Sequence, residues 1–357
     1  MSETREQMLE MAIARLPRIE LGVRPTPLEP MERLTNALKG PPLFIKRDDL
    51  TGLAFGGNKT RMFEFSLADA KAKGAEVIVT GAAVQSNYCR QIAAACAKLG
   101  LELRLFMVPV RPRDRKEVQG NHFLQRLFGA KVTVLEKDDW GERWDLIQAE
   151  ADDLRKSGRN AYVPRESDTI DLDAIAYVEV ALEIVRQCRV MRIEPAELYT
   201  AAMDTTQAGL VLGFKFLGVP IQVRGFAPFP GMPDRHSTMA DMANQAAERF
   251  GIDITVSESD FDSSEEFVGE RYGYPTASGI DALETVAQSE GILLDPVYTS
   301  KAMSGLFAHI RAGRLDHSKP IIFLHTGGAP ALFGYVPEVM PEIGEAPISK
   351  FTQATIN

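Results

Sequence analysis

The sequence predicts an α/β protein made of two doubly wound units, each a parallel sheet with helices on both faces. Short apolar strands alternate with helical segments over residues 43–157, and a second alternating block covers residues 172–325. Gly74 and Gly100 follow predicted helices as C-terminal stops, and the connections are short. Ligands bind such sheets at the carboxyl ends of strands, where helices begin.

Composition limits the class of protein. The 357 residues are 45% hydrophobic and 25% charged, which suits a globular chain large enough for two domains. The net charge of −9 argues against a nucleic-acid or anionic membrane surface. No signal peptide is evident, and no apolar stretch approaches the roughly 20 residues that span a bilayer. Three cysteines without metal-binding spacing indicate a reducing compartment, so we expect a cytoplasmic protein without a metal site.

The first block follows a charged, amphipathic start and a proline-rich, extended segment at residues 24–28, where proline disfavours a helix or a central strand. Apolar periodicity then predicts the elements in order. The predicted helices span residues 2–15, 58–73, 88–98, 118–128 and 140–157, and the predicted strands span residues 43–47, 77–81, 103–108 and 131–135.

The second block shows the same alternation, interrupted by an irregular, acidic stretch at residues 258–275. Its last strand is strongly apolar and ends at a Thr-Gly-Gly turn. The predicted helices span residues 172–189, 208–217, 236–250, 279–289 and 299–312, and the predicted strands span residues 197–200, 221–225 and 320–325.

The segment around Lys59 is the strongest candidate for chemistry. Gly56 and Gly57 predict a tight turn directly before Asn58 and Lys59, and a helix begins there. The positive end of the helix dipole, together with burial, disfavours the ammonium form, which makes Lys59 a candidate Schiff-base former. The alternative is a solvated surface lysine. Ser86 also falls at a helix start, so the two are plausible neighbours around one cleft.

Five separated stretches together resemble one family over nearly the whole chain. They are Phe55–Arg61, Gln85-Ser86-Asn87, Thr206–Gly209, Asp295–Tyr298 and His325–Phe333. The set resembles the pyridoxal-phosphate-dependent D-cysteine desulfhydrase and 1-aminocyclopropane-1-carboxylate (ACC) deaminase family. That resemblance implies the tryptophan-synthase-β-like fold, with the active site between two domains. It implies a large cofactor domain of residues 1–60 and 171–357, a small substrate domain of residues 61–170, and a homodimer.

The resemblance also implies roles for single residues. Lys59 is similar to the lysine that binds the cofactor and moves the substrate α-proton, and Asn87 to the asparagine that bonds the pyridoxal hydroxyl. Ser86 matches a serine placed for the substrate carboxylate or proton transfer, and Ser86 and Asn87 also suit a helix N-cap, so we expect both roles. The remaining expected cofactor contacts are Asn58, Met203, Asp204, Thr205, Thr206, Thr299 and Thr326.

Two tyrosines and one threonine decide the expected reaction. Tyr272 and Tyr298 show the spacing of the two active-site tyrosines of the family, and either phenol can act as a general acid; Tyr274 lies close enough to be confused with Tyr272. Thr299 stands where ACC deaminases carry glutamate and, like His325–Gly328, resembles the desulfhydrases. Leu53-Ala54-Phe55 and Thr206–Gly209 are more similar to the deaminases. We therefore expect α,β-elimination from a small amino acid, giving a 2-oxo acid and ammonia. The alternatives are ACC-type ring-opening deamination and a catalytically reduced amino-acid-binding homologue.

Three departures from the family concern the phosphate and substrate ends of the site. The phosphate loop lacks glycine before Gly209, so either Asp204 faces away from the phosphate or the cofactor is held weakly. Arg165 is expected either to pair with an anionic substrate group or to form a surface pair with Glu166. Tyr88 follows Asn87 and is expected to stack or to narrow the site. These departures suggest a substrate other than D-cysteine or ACC.

Overall fold

The computed structural model describes residues 4–201, 204–231 and 233–340. Ten strands in these ranges form two sheets. They are β1 (Leu28–Pro30), β2 (Leu43–Arg47), β3 (Val77–Thr80), β4 (Glu102–Met107), β5 (Lys131–Val134), β6 (Ala161–Tyr162), β7 (Glu197–Thr200), β8 (Gln222–Phe226), β9 (Asp262–Ser264) and β10 (Ile321–His325).

Twelve α-helices pack against these sheets in the same ranges. They are α1 (Arg5–Ala14), α2 (Glu32–Leu38), α3 (Lys59–Ala72), α4 (Asn87–Leu99), α5 (Gly120–Leu127), α6 (Trp140–Lys156), α7 (Asp171–Met191), α8 (Thr205–Leu217), α9 (Arg235–Phe250), α10 (Ala277–Glu290), α11 (Thr299–Arg311) and α12 (Val336–Val339).

The strand order of the larger sheet is β1-β2-β10-β7-β8-β9, and that of the smaller sheet is β5-β4-β3-β6. Every neighbouring pair is parallel except β1 and β2, where Leu28 pairs with Lys46 in the antiparallel sense. The carboxyl ends of the parallel strands in each sheet therefore share one edge, and residues at the starts of α4, α8 and α11 line one cavity.

Helices cover both faces of each sheet, because alternate strand residues point to opposite sides. Leu198 packs with α1, α7, α8 and α9, whereas Tyr199 packs with α2, α10 and α11. In the smaller sheet, Ile78 faces α3 and α4, and Val79 faces α6. The predicted α/β fold with parallel sheets is confirmed.

Elements that the sequence left unassigned are short. β1, β6 and β9 have two or three residues each, and α2 has seven. Such segments carry too few residues for a periodic pattern, and the three strands form by pairing with longer neighbours. The three cysteines, Cys89, Cys96 and Cys188, are buried and free. Among the described residues no helix is long and apolar enough to cross a bilayer.

Candidate active site

A turn of two glycines sets Lys59 as the first residue of α3. Gly56 has a φ of 67° and Gly57 a φ of 131°, in the region that favours glycine. A Cβ atom on Gly56 would lie 1.9 Å from the Asp49 carbonyl oxygen, and one on Gly57 would lie 2.5 Å from Gln91 Nε2. Gly56 has no room for a side chain because backbone atoms lie there, and the φ of Gly57 disfavours any other residue, so both glycines are needed to present Lys59.

Lys59 faces a cavity and is partly buried. Burial above all, with the Arg165 guanidinium, lowers the pKa of its amine, Asp204 opposes them, and the net result is a pKa of about 8. Its Nζ atom lies 5.9 Å from the centroid of the Tyr298 ring. The solvated surface lysine is therefore the wrong alternative, and a useful fraction of the amine is neutral near pH 8.

The cavity has a volume of about 610 Å³ and brings together residues from distant parts of the chain. Of the side chains expected at the site, nine line it: Asn58, Lys59, Ser86, Tyr88, Arg165, Asp204, Thr206, Tyr272 and Tyr298. Asn87, Thr205, Thr299 and Thr326 lie beyond this lining and are all nearly inaccessible to solvent. Met203 lies outside the described residues.

The start of α4 holds the next two expected residues. Ser86 is the N-cap, and its Oγ accepts a hydrogen bond from the Cys89 amide at 3.2 Å. Asn87 Oδ1 accepts from Arg90 Nη1 at 3.1 Å and from Asn121 Nδ2 at 2.8 Å. These two donors use the amide oxygen, which leaves Asn87 Nδ2 for a ligand.

Arg90 is a residue that the sequence did not single out. It is fully buried, and its Nη2 atom donates to the Gly56 carbonyl oxygen at 2.7 Å. One guanidinium therefore holds both the Asn87 amide and the turn that presents Lys59. The only signal in the sequence is an arginine one helical turn after Ser86-Asn87, directly before the alanine-rich part of the helix.

Tyr272 and Tyr298 meet above Lys59. Their Oη atoms are 2.5 Å apart, and their ring centroids are separated by 6.1 Å. Burial raises the pKa of Tyr272 to about 12 and that of Tyr298 well above its usual value, so both phenols stay protonated at neutral pH. The neighbouring Tyr274 contacts Arg271 instead.

The start of α8 departs from the expected arrangement. Asp204 lines the cavity and does not face away from it, so the other alternative, weak binding of the cofactor, stays a prediction. Arg165 Nη2 donates to Asp204 Oδ2 at 2.7 Å, and Arg165 Nε lies 3.4 Å from Asp173 Oδ2. The surface pair with Glu166 is therefore wrong. The physical reason is the attraction between the two charges: the Asp204 carboxylate at the helix start attracts the nearest cation, which is Arg165. The Arg165 backbone has a φ of 67° at this position.

Two further side chains belong to the site: Asp173 lies beside Arg165, and Thr299 lies where the ring of the cofactor is expected. Burial raises the pKa of Asp173 to about 6, although Arg165 opposes this. Thr299 Oγ1 donates to Asp295 Oδ1 at 2.8 Å and accepts from the Asp295 amide at 2.7 Å. Because the Thr299 hydroxyl already donates its hydrogen bond to Asp295, it can bind a further group only as an acceptor.

Helix α6 contributes residues that the sequence reading did not assign to the site. Trp140, Arg143, Trp144 and Ile147 all line the cavity. Their spacing is that of one helix face, and two tryptophans on one face were the available signal. Tyr88 lies opposite Arg165, whose guanidinium carbon is 5.9 Å from the ring centroid.

The described residues fit pyridoxal phosphate, the cofactor that the resemblance implies. Lys59 offers an amine of lowered pKa, and Asn87 offers a free amide donor. Asn58 Oδ1 is buried beside them and has no hydrogen-bond partner within the described ranges. Gly328 keeps the space beside Asn87 Nδ2 open, because a Cβ atom on Gly328 would lie 2.7 Å from that nitrogen.

The phosphate end fits through the start of α8. Its first amides point outward at the positive end of the helix dipole, and the Thr205 and Thr206 hydroxyls lie there. Asn58 Nδ2 donates to Thr206 Oγ1 at 3.1 Å, which links this end to the lysine. The Asp204 charge opposes a phosphate, and Arg165 neutralises it.

Comparison with known proteins agrees with this chemistry. The family model described as pyridoxal-phosphate dependent enzyme matches residues 19–327. D-cysteine desulfhydrases of Salmonella typhi and of Salmonella newport (strain SL254) are each 36% identical to it over 329 residues, which is 92% of this chain and 98% of each relative.

Solved structures extend the comparison. An ACC deaminase homologue superposes with a TM-score of 0.84 at 31% identity, covering 94% of this chain and 98% of its own. Escherichia coli diaminopropionate ammonia lyase superposes with a TM-score of 0.62 at 15% identity, covering 95% and 91%, which supports the fold alone. The resemblance carried by the motifs is confirmed, and the chain belongs to the pyridoxal-phosphate-dependent enzyme family, among the lyases related to D-cysteine desulfhydrase.

Proposed function

We propose that this protein catalyses α,β-elimination from a small amino acid with a β leaving group and releases a 2-oxo acid and ammonia. The observation that carries the proposal is the position of Lys59, an amine of lowered pKa that shares one cavity with Ser86 and the Tyr272–Tyr298 pair. Pyridoxal phosphate, when bound, supplies an aldehyde for the substrate amine and a ring that accepts electrons from Cα.

The catalytic residues of the proposal are Lys59, Ser86, Tyr272 and Tyr298. Lys59 takes the α-proton, because its neutral amine is accessible at physiological pH. The two phenols remain protonated, so either can donate a proton to the leaving group. Ser86 Oγ accepts a hydrogen bond from the Cys89 amide, which leaves the Ser86 hydroxyl free to donate to a substrate carboxylate.

The cofactor residues of the proposal surround Lys59 at both ends of the site. Asn87 bonds the ring hydroxyl through Nδ2, and the amides that begin α8 bind the phosphate. The proposed set is Asn58, Lys59, Asn87, Met203, Asp204, Thr205, Thr206, Thr299 and Thr326. Thr299 is uncharged, which favours prompt loss of a β leaving group over long-lived charge on the ring.

The substrate-binding residues of the proposal are Ser86, Asn87, Tyr88 and Arg165. Arg165 pairs with Asp204 inside the cavity, which supports a role with an anionic substrate group once that pair opens. The α-carboxylate of an amino acid is such a group. Tyr88 lines the cavity, and its ring is held edge-on against Phe63 with centroids 5.1 Å apart, which supports a role in narrowing the site.

A second candidate is ring-opening deamination of ACC. The 31% identity to a solved ACC deaminase homologue supports it, and Thr299 in place of glutamate opposes it. We further propose that residues 1–60 and 171–357 form the cofactor domain, that residues 61–170 form the substrate domain, and that the protein is a cytoplasmic homodimer. Three free, buried cysteines support the reducing compartment.

The test adds pyridoxal phosphate to the purified protein and follows the visible absorbance band, with Lys59→Ala as the control. A screen of D- and L-amino acids with β leaving groups, beside ACC, then detects and identifies the 2-oxo acid. Pyruvate from the β-substituted amino acids supports elimination, and turnover of ACC alone supports the second candidate. A Lys59-dependent band without turnover of any compound would contradict both reactions and support the third alternative, a catalytically reduced amino-acid-binding homologue.

A further inference from the structure

Helix α6 builds one wall of the cavity from side chains that the proposed reaction does not use. Trp140, Arg143, Trp144 and Ile147 follow the i, i+3, i+4, i+7 spacing of one helix face and all line the cavity. Trp140 and Trp144 are the two tryptophans of the chain, and they are 41% and 43% exposed. Large aromatic surface left open inside a cavity is typical of a ligand contact.

This wall is continuous with the lysine. The Trp140 ring packs edge-on against Tyr272 with centroids 5.8 Å apart, and Phe229 packs on Tyr272 at 5.9 Å. Tyr272 in turn bonds Tyr298, whose ring lies beside Lys59. A substrate whose amino group lies at Lys59 can therefore extend its side chain along an unbroken aromatic surface.

Arg143 adds a cation to the same wall. Its guanidinium carbon lies 5.3 Å from the centroid of the Trp140 ring, and Nη1 donates to the Gly81 carbonyl oxygen at 2.6 Å. Within the described ranges it forms no ion pair, and Nη2, unlike Nε, is not among the buried atoms without a partner, so it is the donor open to a ligand. A cation with unused donors beside an aromatic surface suits a leaving group that is bulky and departs as an anion.

We infer that the leaving group is a bulky thiolate that carries an aromatic ring, so that the substrate class is S-aryl or S-benzyl cysteine rather than free cysteine. This rests on the proposed elimination. For S-benzylcysteine, Lys59 removes the α-proton, the Cβ–S bond breaks, and both electrons leave with sulfur. The thiolate takes one proton, and one water releases the rest of the substrate, giving benzyl mercaptan, pyruvate and ammonia in equal amounts without an oxidant or reductant.

The kinetic test uses the holoenzyme with the D and L enantiomers of S-benzylcysteine, cysteine and β-chloroalanine, and pyruvate is measured. We expect kcat/KM for S-benzylcysteine to exceed kcat/KM for cysteine of the same configuration at least tenfold. Trp144→Ala should lower the ratio of kcat/KM for S-benzylcysteine to that for β-chloroalanine at least tenfold. Phe123→Ala, an exposed aromatic on α5 outside the cavity, is the matched control and should leave the ratio unchanged.

Tryptophan fluorescence separates this inference from the proposed reaction. Both tryptophans line the cavity, so benzyl methyl sulfide, an unreactive probe, should change the emission saturably, and dimethyl sulfide at equal concentration should not. Pyruvate from β-chloroalanine together with equal or poorer use of S-benzylcysteine would overturn the inference and leave elimination standing. If no compound yields a 2-oxo acid, the proposed reaction fails, and an unsaturable fluorescence response would then overturn the aromatic subsite as well.

Discussion

Arg165 donates a hydrogen bond to Asp204 at 2.7 Å across the end of the cavity where α8 begins. Burial opposes the charge on Asp204, but the guanidinium holds the pKa of that carboxyl below its usual value. The positive end of α8, which would otherwise attract a phosphate, therefore already faces a carboxylate. The two charges neutralise each other, and the cofactor has to compete with this pair.

Replacing Asp204→Asn should strengthen cofactor binding, because it removes a charge that repels phosphate and frees Arg165. We expect the Kd for pyridoxal phosphate, measured by absorbance titration, to fall about tenfold, which corresponds to ~1.4 kcal/mol. Asp153→Asn, an exposed residue paired with Lys156 near the end of α6, is the matched control. A higher Kd for Asp204→Asn would mean that the carboxylate organises the loop instead of opposing the phosphate.

The lowered pKa of Lys59 predicts the pH dependence of cofactor capture. Only the neutral amine attacks an aldehyde, so the rate at which the visible band appears should rise with pH, reach half its maximum near pH 8 and then level off.

The same lowered pKa predicts how stability depends on pH. The pKa of Lys59 in the folded protein lies below the ordinary value of 10.5, so between these two pH values the unfolded chain binds more protons than the folded protein. The contribution of Lys59 to the stability of the cofactor-free protein should therefore rise with pH across that window.

Borohydride trapping and peptide mass spectrometry identify the reacting amine. Lys301 is the stringent comparison, because burial lowers its pKa to about 8 as well. Its Nζ atom donates to the Val268 carbonyl oxygen at 2.6 Å, away from the cavity lining. The adduct should appear on Lys59 alone, and an adduct on Lys301 would remove the proposed site.

The Tyr272–Tyr298 contact predicts that both hydroxyls matter for turnover. Tyr272→Phe and Tyr298→Phe keep the packed rings and remove one hydroxyl each, so we expect kcat to fall by about 10²-fold in either variant, in the range of general acid–base catalysis. Cofactor affinity should change little. Tyr274→Phe is the control, because that hydroxyl contacts Arg271 instead. Normal kcat in both variants would exclude the pair from proton transfer.

Arg90 predicts a positioning effect without direct contact to substrate. Arg90→Lys keeps the charge but cannot reach Asn87, Asn121 and the Gly56 carbonyl together, so cofactor affinity should fall about tenfold. A purely structural role would lower Tm without shifting the absorbance maximum of the bound cofactor. We expect that maximum to shift, because Asn87 loses its orientation. Arg126→Lys, whose Nε bonds His122 on α5, is the matched control.

Much of the fold and the reactive centre was readable from the sequence. The strands at residues 43–47 and 197–200 appear at the predicted bounds, and Lys59 and Ser86 begin helices around one cavity as expected. These features depend on local periodicity, on turn glycines and on helix caps, which a linear sequence carries directly.

The tertiary structure alone decided which side chains meet across the cavity. The inward Asp204, its partner Arg165, the buried Arg90 and the tryptophan wall of α6 depend on contacts between residues far apart in the chain. Periodicity assigns a residue to a face of its own element and carries no information on what lies opposite. The amine and its helix are therefore written in the local sequence, whereas the charges and aromatic surfaces that surround the amine are set by how the two sheets and their helices pack.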